Sequence, residues 1–304
     1  MRASGRQFRR EGKRVKGYGF FDFLHGYIYT RWPYAYIGVA KGNRRVPTIL
    51  KPFLGVLAWL LLRTAFGRSA EAKQAFADKY HGKVVPTDEA EQLVTLQEPI
   101  ELSNLETIIP YTTAKDILLA DPDHLVALDC PCRAEVENPC LPLDVCLIVG
   151  EPFSQFVLDH HPNRSRKISQ DEAVDILRAE RERGHVHHAF FKDAMLGRFY
   201  AICNCCSCCC GAMQANRNGT PMLASSGFLA KLEVDLCVGC GACAAACPFD
   251  AIRVQDGLAK IDDSLCMGCG VCVAKCPQHA LALELAPEKG EPLIVHDLLA
   301  ATRG

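Results

Sequence analysis

With 304 residues, 49% of them hydrophobic, the chain has room for two domains and enough apolar side chains to give each a core. The formal charge of −1 conceals an asymmetry: residues 1–68 hold fourteen of the 34 basic residues and only two of the 35 acids, Glu11 and Asp22. A basic head on an acidic body suits contact with a protein or a membrane surface, and no nucleic-acid partner is expected.

Residues 1–16 are basic and polar, with Arg9-Arg10 followed by Lys13, Arg14 and Lys16. The arginine pair has the form of a twin-arginine export signal. Against that reading, no continuous apolar segment and no small-residue cleavage site follow, and Asp22 and Arg31 interrupt. Residues 18–36 hold nine aromatic side chains, and the run from Pro52 to Leu62 carries no charge. A spanning helix needs about twenty apolar residues, so that run is too short. Residues 1–69 therefore read as a mainly helical N-terminal extension. It either lies on a membrane surface, docks a partner subunit, or packs as helices on the body.

Residues 70–214 read as a cysteine-rich α/β domain. A short helix is expected at 113–120, ending before Asp121-Pro122, then a buried strand at 125–128 that runs into Cys130-Pro131-Cys132-Arg133. A second strand is expected at 145–149 and a helix at 152–159. Ser169-x-x-Glu172 is a capping box, with Gly184 as the stop of the helix it opens. A third strand, 199–203, leads into Cys203-Asn204-Cys205-Cys206. Alternating strands and helices argue for an α/β layer, in which sites gather at strand carboxyl ends.

Residues 215–227 read as a linker and 286–304 as a C-terminal tail with a short element packing back. Between them, 228–285 is an α+β module built on a repeat. Cys237-x-x-Cys240-x-x-Cys243-x-x-x-Cys247-Pro248 recurs 29 residues later as Cys266-x-x-Cys269-x-x-Cys272-x-x-x-Cys276-Pro277. Gly239 and Gly241 recur as Gly268 and Gly270. Three closely spaced cysteines let one tight loop supply three thiolates, and the glycines permit the turns this requires. A pair of zinc ribbons is the alternative, although zinc knuckles usually pair across a longer gap. The whole stretch resembles the two-cluster 4Fe–4S ferredoxins of bacterial type. That resemblance implies two 4Fe–4S clusters with crossed ligand sets: Cys237, Cys240, Cys243 and Cys276 for one, and Cys266, Cys269, Cys272 and Cys247 for the other. Such clusters belong in a reducing, usually cytoplasmic, compartment, where a disulfide scaffold is not expected.

Ten cysteines remain in the middle domain: Cys130, Cys132, Cys140 and Cys146, and the six between Cys203 and Cys210. The first four suffice for one cubane or one zinc. Adjacent pairs such as Cys205-Cys206 point apart and suit a polynuclear cluster better than a mononuclear site. Cys203, Cys205, Cys206 and Cys209 are expected to help the first four hold at least one further iron–sulfur cluster. A structural zinc with spare thiols is the alternative. This part is similar to uncharacterised iron–sulfur proteins that carry a Cys-x-Cys-Arg and an Asn-Cys-Cys motif ahead of a ferredoxin module. The histidines at 160–161 and 185–188 offer metal or proton chemistry or a polar surface turn, and Arg164, Arg166 and Lys167 a phosphate contact or a solvated loop. No Walker A loop or Gly-x-Gly-x-x-Gly fingerprint occurs, so nucleotide and flavin are not expected.

The function expected from these motifs is single-electron relay through two 4Fe–4S clusters and a middle-domain cluster to a partner oxidoreductase. The protein is placed in the cytoplasm or at the inner face of the membrane. The alternative is an oxidoreductase reducing a small molecule at an open middle-domain metal, and a cysteine-based redox or metal sensor is a third class. An open coordination position separates the first two, and spacing cannot reveal it.

Overall fold

The computed structural model describes residues 1–43, 70–78, 80–96 and 124–302. The apolar run 52–62 and the helix expected at 113–120 lie outside the described residues. Seven strands form the main sheet: β1 (Tyr80–Val85), β2 (Leu125–Leu128), β3 (Cys146–Val149), β4 (Ser165–Ile168), β5 (Val186–Lys192), β6 (Arg198–Cys205) and β7 (Leu223–Ala224). Their order is β4-β2-β3-β6-β5-β1-β7.

Helix and sheet are mixed as expected, and within the main sheet every pairing is antiparallel except β1 with β7. The cause is local. A tight turn at 193–197, with Leu196 left-handed at φ +64°, joins β5 to β6, and so short a link can only reverse the chain. The consequence decides the site. Both β2 and β6 run against β3, so the carboxyl ends of β2 and β6 and the amino end of β3 share one sheet edge.

Side chains alternate across the sheet, and each face carries its own core. Leu125, Ala127, Leu147, Ala189 and Ile202 face one side. They are covered by α4 (Thr87–Val94), α7 (Gln170–Glu182) and the tail, from which Leu293 and Val295 are buried. Helix α7 starts where its capping box predicts, with the Ser169 hydroxyl accepting from the Glu172 amide at 3.1 Å.

Val126, Ile148, Phe190 and Ala201 face the other side. That side is closed by α6 (Phe153–His160) and the N-terminal helices α1 (Ala3–Gly12), α2 (Phe20–Arg31) and α3 (Pro33–Ala40). Phe8 is fully buried and meets Phe23, Phe153 and Phe156 edge-on at 5.3 to 6.2 Å. Within residues 1–43 the basic head is thus a wall of the middle domain, with Phe20, Phe21 and Trp32 left exposed. Among the described residues no helix is long and apolar enough to cross a membrane.

The stretch read as a linker carries the end of α8 (Gly211–Arg217) and then β7, which pairs in parallel with β1. Beyond it, β8 (Phe228–Leu232) pairs with β11 (Leu281–Leu285), and β9 (Ile252–Gln255) with β10 (Leu258–Ile261). Two short helices, α9 (Ala242–Ala246) and α10 (Val271–Lys275), follow left-handed Gly241 and Gly270. This module docks on the body: Val271, Met267, Phe249 and Cys269 join the same apolar cluster as Cys146 and Cys205. Ser226 Oγ donates to the Gly268 carbonyl at 2.8 Å, and Arg217 to that of Pro248 at 3.0 Å.

Candidate metal centres

In the C-terminal module the eight repeat cysteines surround two cavities. Cys237, Cys240, Cys243 and Cys276 line one, and Cys247, Cys266, Cys269 and Cys272 the other, so each cavity takes three thiols from one repeat and one from its twin. Gly268 shows why this loop needs glycine. Its φ is +63°, and a Cβ there would collide with the Phe228 carbonyl and the Ser226 hydroxyl. The Ala251 and Ala280 amides donate to Cys247 Sγ and Cys276 Sγ at 3.3 Å, and amides of Ala259 and Gly239 hold the Cys237 thiol below its ordinary range. Four sulfurs around a cavity, met by amide donors, fit a 4Fe–4S cubane.

The two cavities differ in surroundings. At the first, Cys240 is exposed, and Val238 and Val254 on its lining are 65% and 42% exposed. The second lies against the middle domain, and burial pushes its Cys272 thiol up to about 12.

The sheet edge gathers all ten middle-domain cysteines, but not as the spacing groups them. Cys130, Cys132, Cys146, Cys203, Cys205, Cys206 and Cys210 line an apolar cavity together with Tyr29, Tyr80, Tyr200, Leu128 and Ile148. Cys146 and Cys203 are paired in register, with Sγ atoms 3.4 Å apart, and Cys205 and Cys210 stand at 3.3 Å. Thiol neighbours and burial push Cys130 and Cys203 well above the ordinary thiol range. Thiols crowded in this way ionise together only with a cation among them, and this donor set fits an iron–sulfur cluster.

Cys140 stands apart from the other three of its group. Its Sγ joins those of Cys206, Cys208 and Cys209, all four within 4.8 Å of one another. Cys205 and Cys206 take different sulfur neighbours, Cys210 and the Cys140 group, although both are buried and line the cavity, whereas Cys208 and Cys209 stay together. A turn at 207–209 brings their sulfurs to 3.6 Å, where an extended chain would point them to opposite sides. Cys208 and Cys210 lie outside the eight middle-domain ligands expected from sequence; the turn brings Cys208 to Cys209, and Cys210 lines the cavity beside Cys205.

Other side chains hold these loops in place. Arg133, from the short helix α5 (Pro131–Ala134), is buried and donates to the Glu180 carboxylate at 2.5 Å and to the carbonyls of Pro142 and Asn204 at 2.6 and 3.0 Å. Lys41, just past α3, donates to the Cys132 and Cys209 carbonyls at 3.2 and 2.6 Å, spanning both cysteine loops. Neither partner set was legible from spacing.

The histidines serve mostly elsewhere. His160 and His161 donate to the carbonyls of Phe156 and Thr30, His185 to Glu180, and His187 to the Asn204 side chain. His188 is fully buried in register with Cys203. Arg164 lies over the Tyr34 ring and Arg166 pairs with Asp144 and Glu172, so both cations are already engaged. At the far end of the apolar cavity, Tyr29 and Tyr200 share a 3.0 Å hydroxyl contact. The Lys192 ammonium sits 3.9 Å from the Tyr29 ring and 4.5 Å from that of Tyr80, and burial lowers its pKa to about 7.

No curated protein matches the chain. Residues 230–287 match the family model described as a 4Fe-4S dicluster domain, and over both cysteine repeats the C-terminal part of this chain is similar to that family.

Proposed function

We propose that the protein is an iron–sulfur electron carrier that takes electrons at its exposed C-terminal face and delivers them through the middle domain to a partner oxidoreductase. One observation carries this reading: the two four-cysteine cavities are unequal, one rimmed by solvent and the other packed into the same apolar cluster as Cys146 and Cys205. When bound, the clusters supply one-electron oxidation and reduction. The protein supplies the rest. Cys237, Cys240, Cys243 and Cys276 would hold the outer centre, and Cys247, Cys266, Cys269 and Cys272 the inner one. Of the cysteines on the apolar cavity, Cys130, Cys132, Cys146, Cys203, Cys205 and Cys210 would hold a further cluster. Met267 and Phe249 keep water from the contact between module and body, which favours transfer across it. Partner docking falls at Val238 and Val254, and the basic head is a second docking site for a membrane surface or a membrane subunit. Residence in the cytoplasm follows from the thiol load.

Full-length protein prepared without oxygen tests this. Reduction should bring up the interacting signals of two cubanes, and Cys247→Ser should damage the inner-lying centre while sparing the exposed one. Loss of the exposed centre instead, or zinc without sulfide, overturns the reading.

A second reading, reduction of a small molecule, is favoured by Tyr29 and Tyr200 on the lining of the cysteine-bearing cavity, with Lys192 packed on the Tyr29 ring behind them, where they could deliver protons. Cyanide or carbon monoxide added to the reduced protein separates the two. A spectrum that ignores both ligands supports the carrier, and one that responds supports the enzyme.

A further inference from the structure

We infer that Cys140, Cys206, Cys208 and Cys209 form a separate mononuclear tetrathiolate site for a divalent metal, zinc or ferrous iron. This goes beyond the electron-carrier reading; Cys206, which also lines the apolar cavity, belongs to the quartet by the position of its sulfur.

The argument is one of distance. Metal–sulfur bonds near 2.3 Å in a tetrahedron put the four sulfurs roughly 3.8 Å apart. A cubane interposes four irons and four sulfides, so its thiolates must stand much farther from one another. Here the four Sγ atoms all lie within 4.8 Å of one another, with Cys140 and Cys208 at 3.1 Å and Cys208 and Cys209 at 3.6 Å. The same chain treats its cubane ligands differently. Each ferredoxin-like set surrounds a cavity of its own, and among the described residues only the Cys140 set closes as a compact group of this kind. Four thiolates on one ion also complete its coordination, the form of a structural site rather than a catalytic one.

The position of the quartet indicates its purpose. Cys140 lies in the loop between α5 and β3, flanked by the cavity ligands Cys132 and Cys146. Cys206, Cys208 and Cys209 lie in the loop flanked by Cys205 and Cys210. A metal joining these loops pins the chain on both sides of the inner thiols. Lys41 spans the same two loops through the Cys132 and Cys209 carbonyls, a second clasp over the same gap. Cys208 is exposed and Cys140 half-buried, so the ion has a route in from solvent.

The test is a metal and sulfide count on full-length protein purified without oxygen. One metal per chain is expected in excess of the iron matched by acid-labile sulfide. The Cys140→Ser, Cys208→Ser double variant should lose that one equivalent and keep its sulfide and its reduced-cluster signals, which also report that it has folded. Cobalt(II) exchange should give the visible bands of a tetrahedral thiolate ion in the parent and none in the variant. A ferric tetrathiolate absorption on oxidation identifies iron, and its absence with zinc in the count identifies zinc. Sulfide lost together with the metal, an unchanged metal count, or a Cys140–Cys208 disulfide in the reduced anaerobic protein each overturns the assignment. These results differ from failure of the carrier reading, which shows in the C-terminal cluster signals or in a reduced spectrum that responds to cyanide or carbon monoxide.

Discussion

The Arg133 guanidinium lies 2.5 Å from the Glu180 carboxylate, and their side chains are only 1% and 0% exposed. Arg133 belongs to the Cys130-Pro131-Cys132-Arg133 stretch and Glu180 to the far end of α7, so the pair ties the first cysteine loop to the body. Removing one partner leaves an uncompensated buried charge, a loss of about 3–5 kcal/mol. Glu180→Ala should therefore lower the unfolding free energy by that order and loosen metal held by Cys130 and Cys132. Chemical denaturation of the full chain measures the first effect, and chelator-driven metal loss the second. The solvent-facing Arg178, paired with Glu91, is the comparison, since water screens that pair and breaking it should cost far less.

Gly268→Ala should cost the second C-terminal centre. Its positive φ disfavours any side chain, and the new Cβ would meet the Phe228 carbonyl, which is backbone and cannot swing away. Gly257→Ala has a similar φ of +74° but meets nothing within 4 Å, so only a conformational cost of roughly 1 kcal/mol is expected there. Iron per chain after reconstitution should fall in the first variant and hold in the second.

Lys192 gives the body a pH dependence of known sign. Burial lowers its pKa to about 7, with the Asp193 carboxylate opposing. The unfolded chain, with lysine near its ordinary value of about 10.4, binds the proton more tightly than the folded one over that window. Stability therefore rises as pH climbs from about 7 toward 10, and the folded state is penalised below it. Lys192→Met should flatten this rise and raise the thermal midpoint at pH 6, less whatever the lost contacts with Tyr29 and Tyr80 contributed. A variant that melts lower at pH 6 would mean the ring contacts outweigh the burial cost.

The basic head should bind anionic vesicles at low salt and release as salt rises, because screening weakens surface attraction. Phe20 and Phe21 of α2, and Trp32 between α2 and α3, are exposed aromatics available to enter the headgroup layer, at 59%, 76% and 50% exposure. Replacing all three by serine should weaken co-sedimentation severalfold without unfolding the protein, since Phe8 and Phe23 carry the packing. Equal binding by the variant would assign retention to charge alone.

Much of the local structure was legible in the residues themselves. The strands at 125–128, 145–149 and 199–203 and the helix opened by Ser169 stand within two residues of where pattern and cap chemistry put them. The C-terminal cysteine sets were legible for a related reason: a three-residue ligand spacing lets a single loop shape three thiols around one cavity, so short-range chemistry does most of the arranging.

The middle-domain cysteines were different, because their grouping depends on contacts far apart in the chain. Reading along the sequence puts Cys140 with Cys130, Cys132 and Cys146; the folded chain moves it to Cys208, 68 positions away, at 3.1 Å. That exchange rests on strand direction, on the turn at 207–209, and on Arg133 and Lys41 bridging segments that no local pattern connects. The residue types and their count were thus determined by sequence alone, as was the chemistry they can perform. Which thiol faces which was decided by tertiary structure, since antiparallel pairing at one sheet edge is a property of the whole sheet and not of any single stretch.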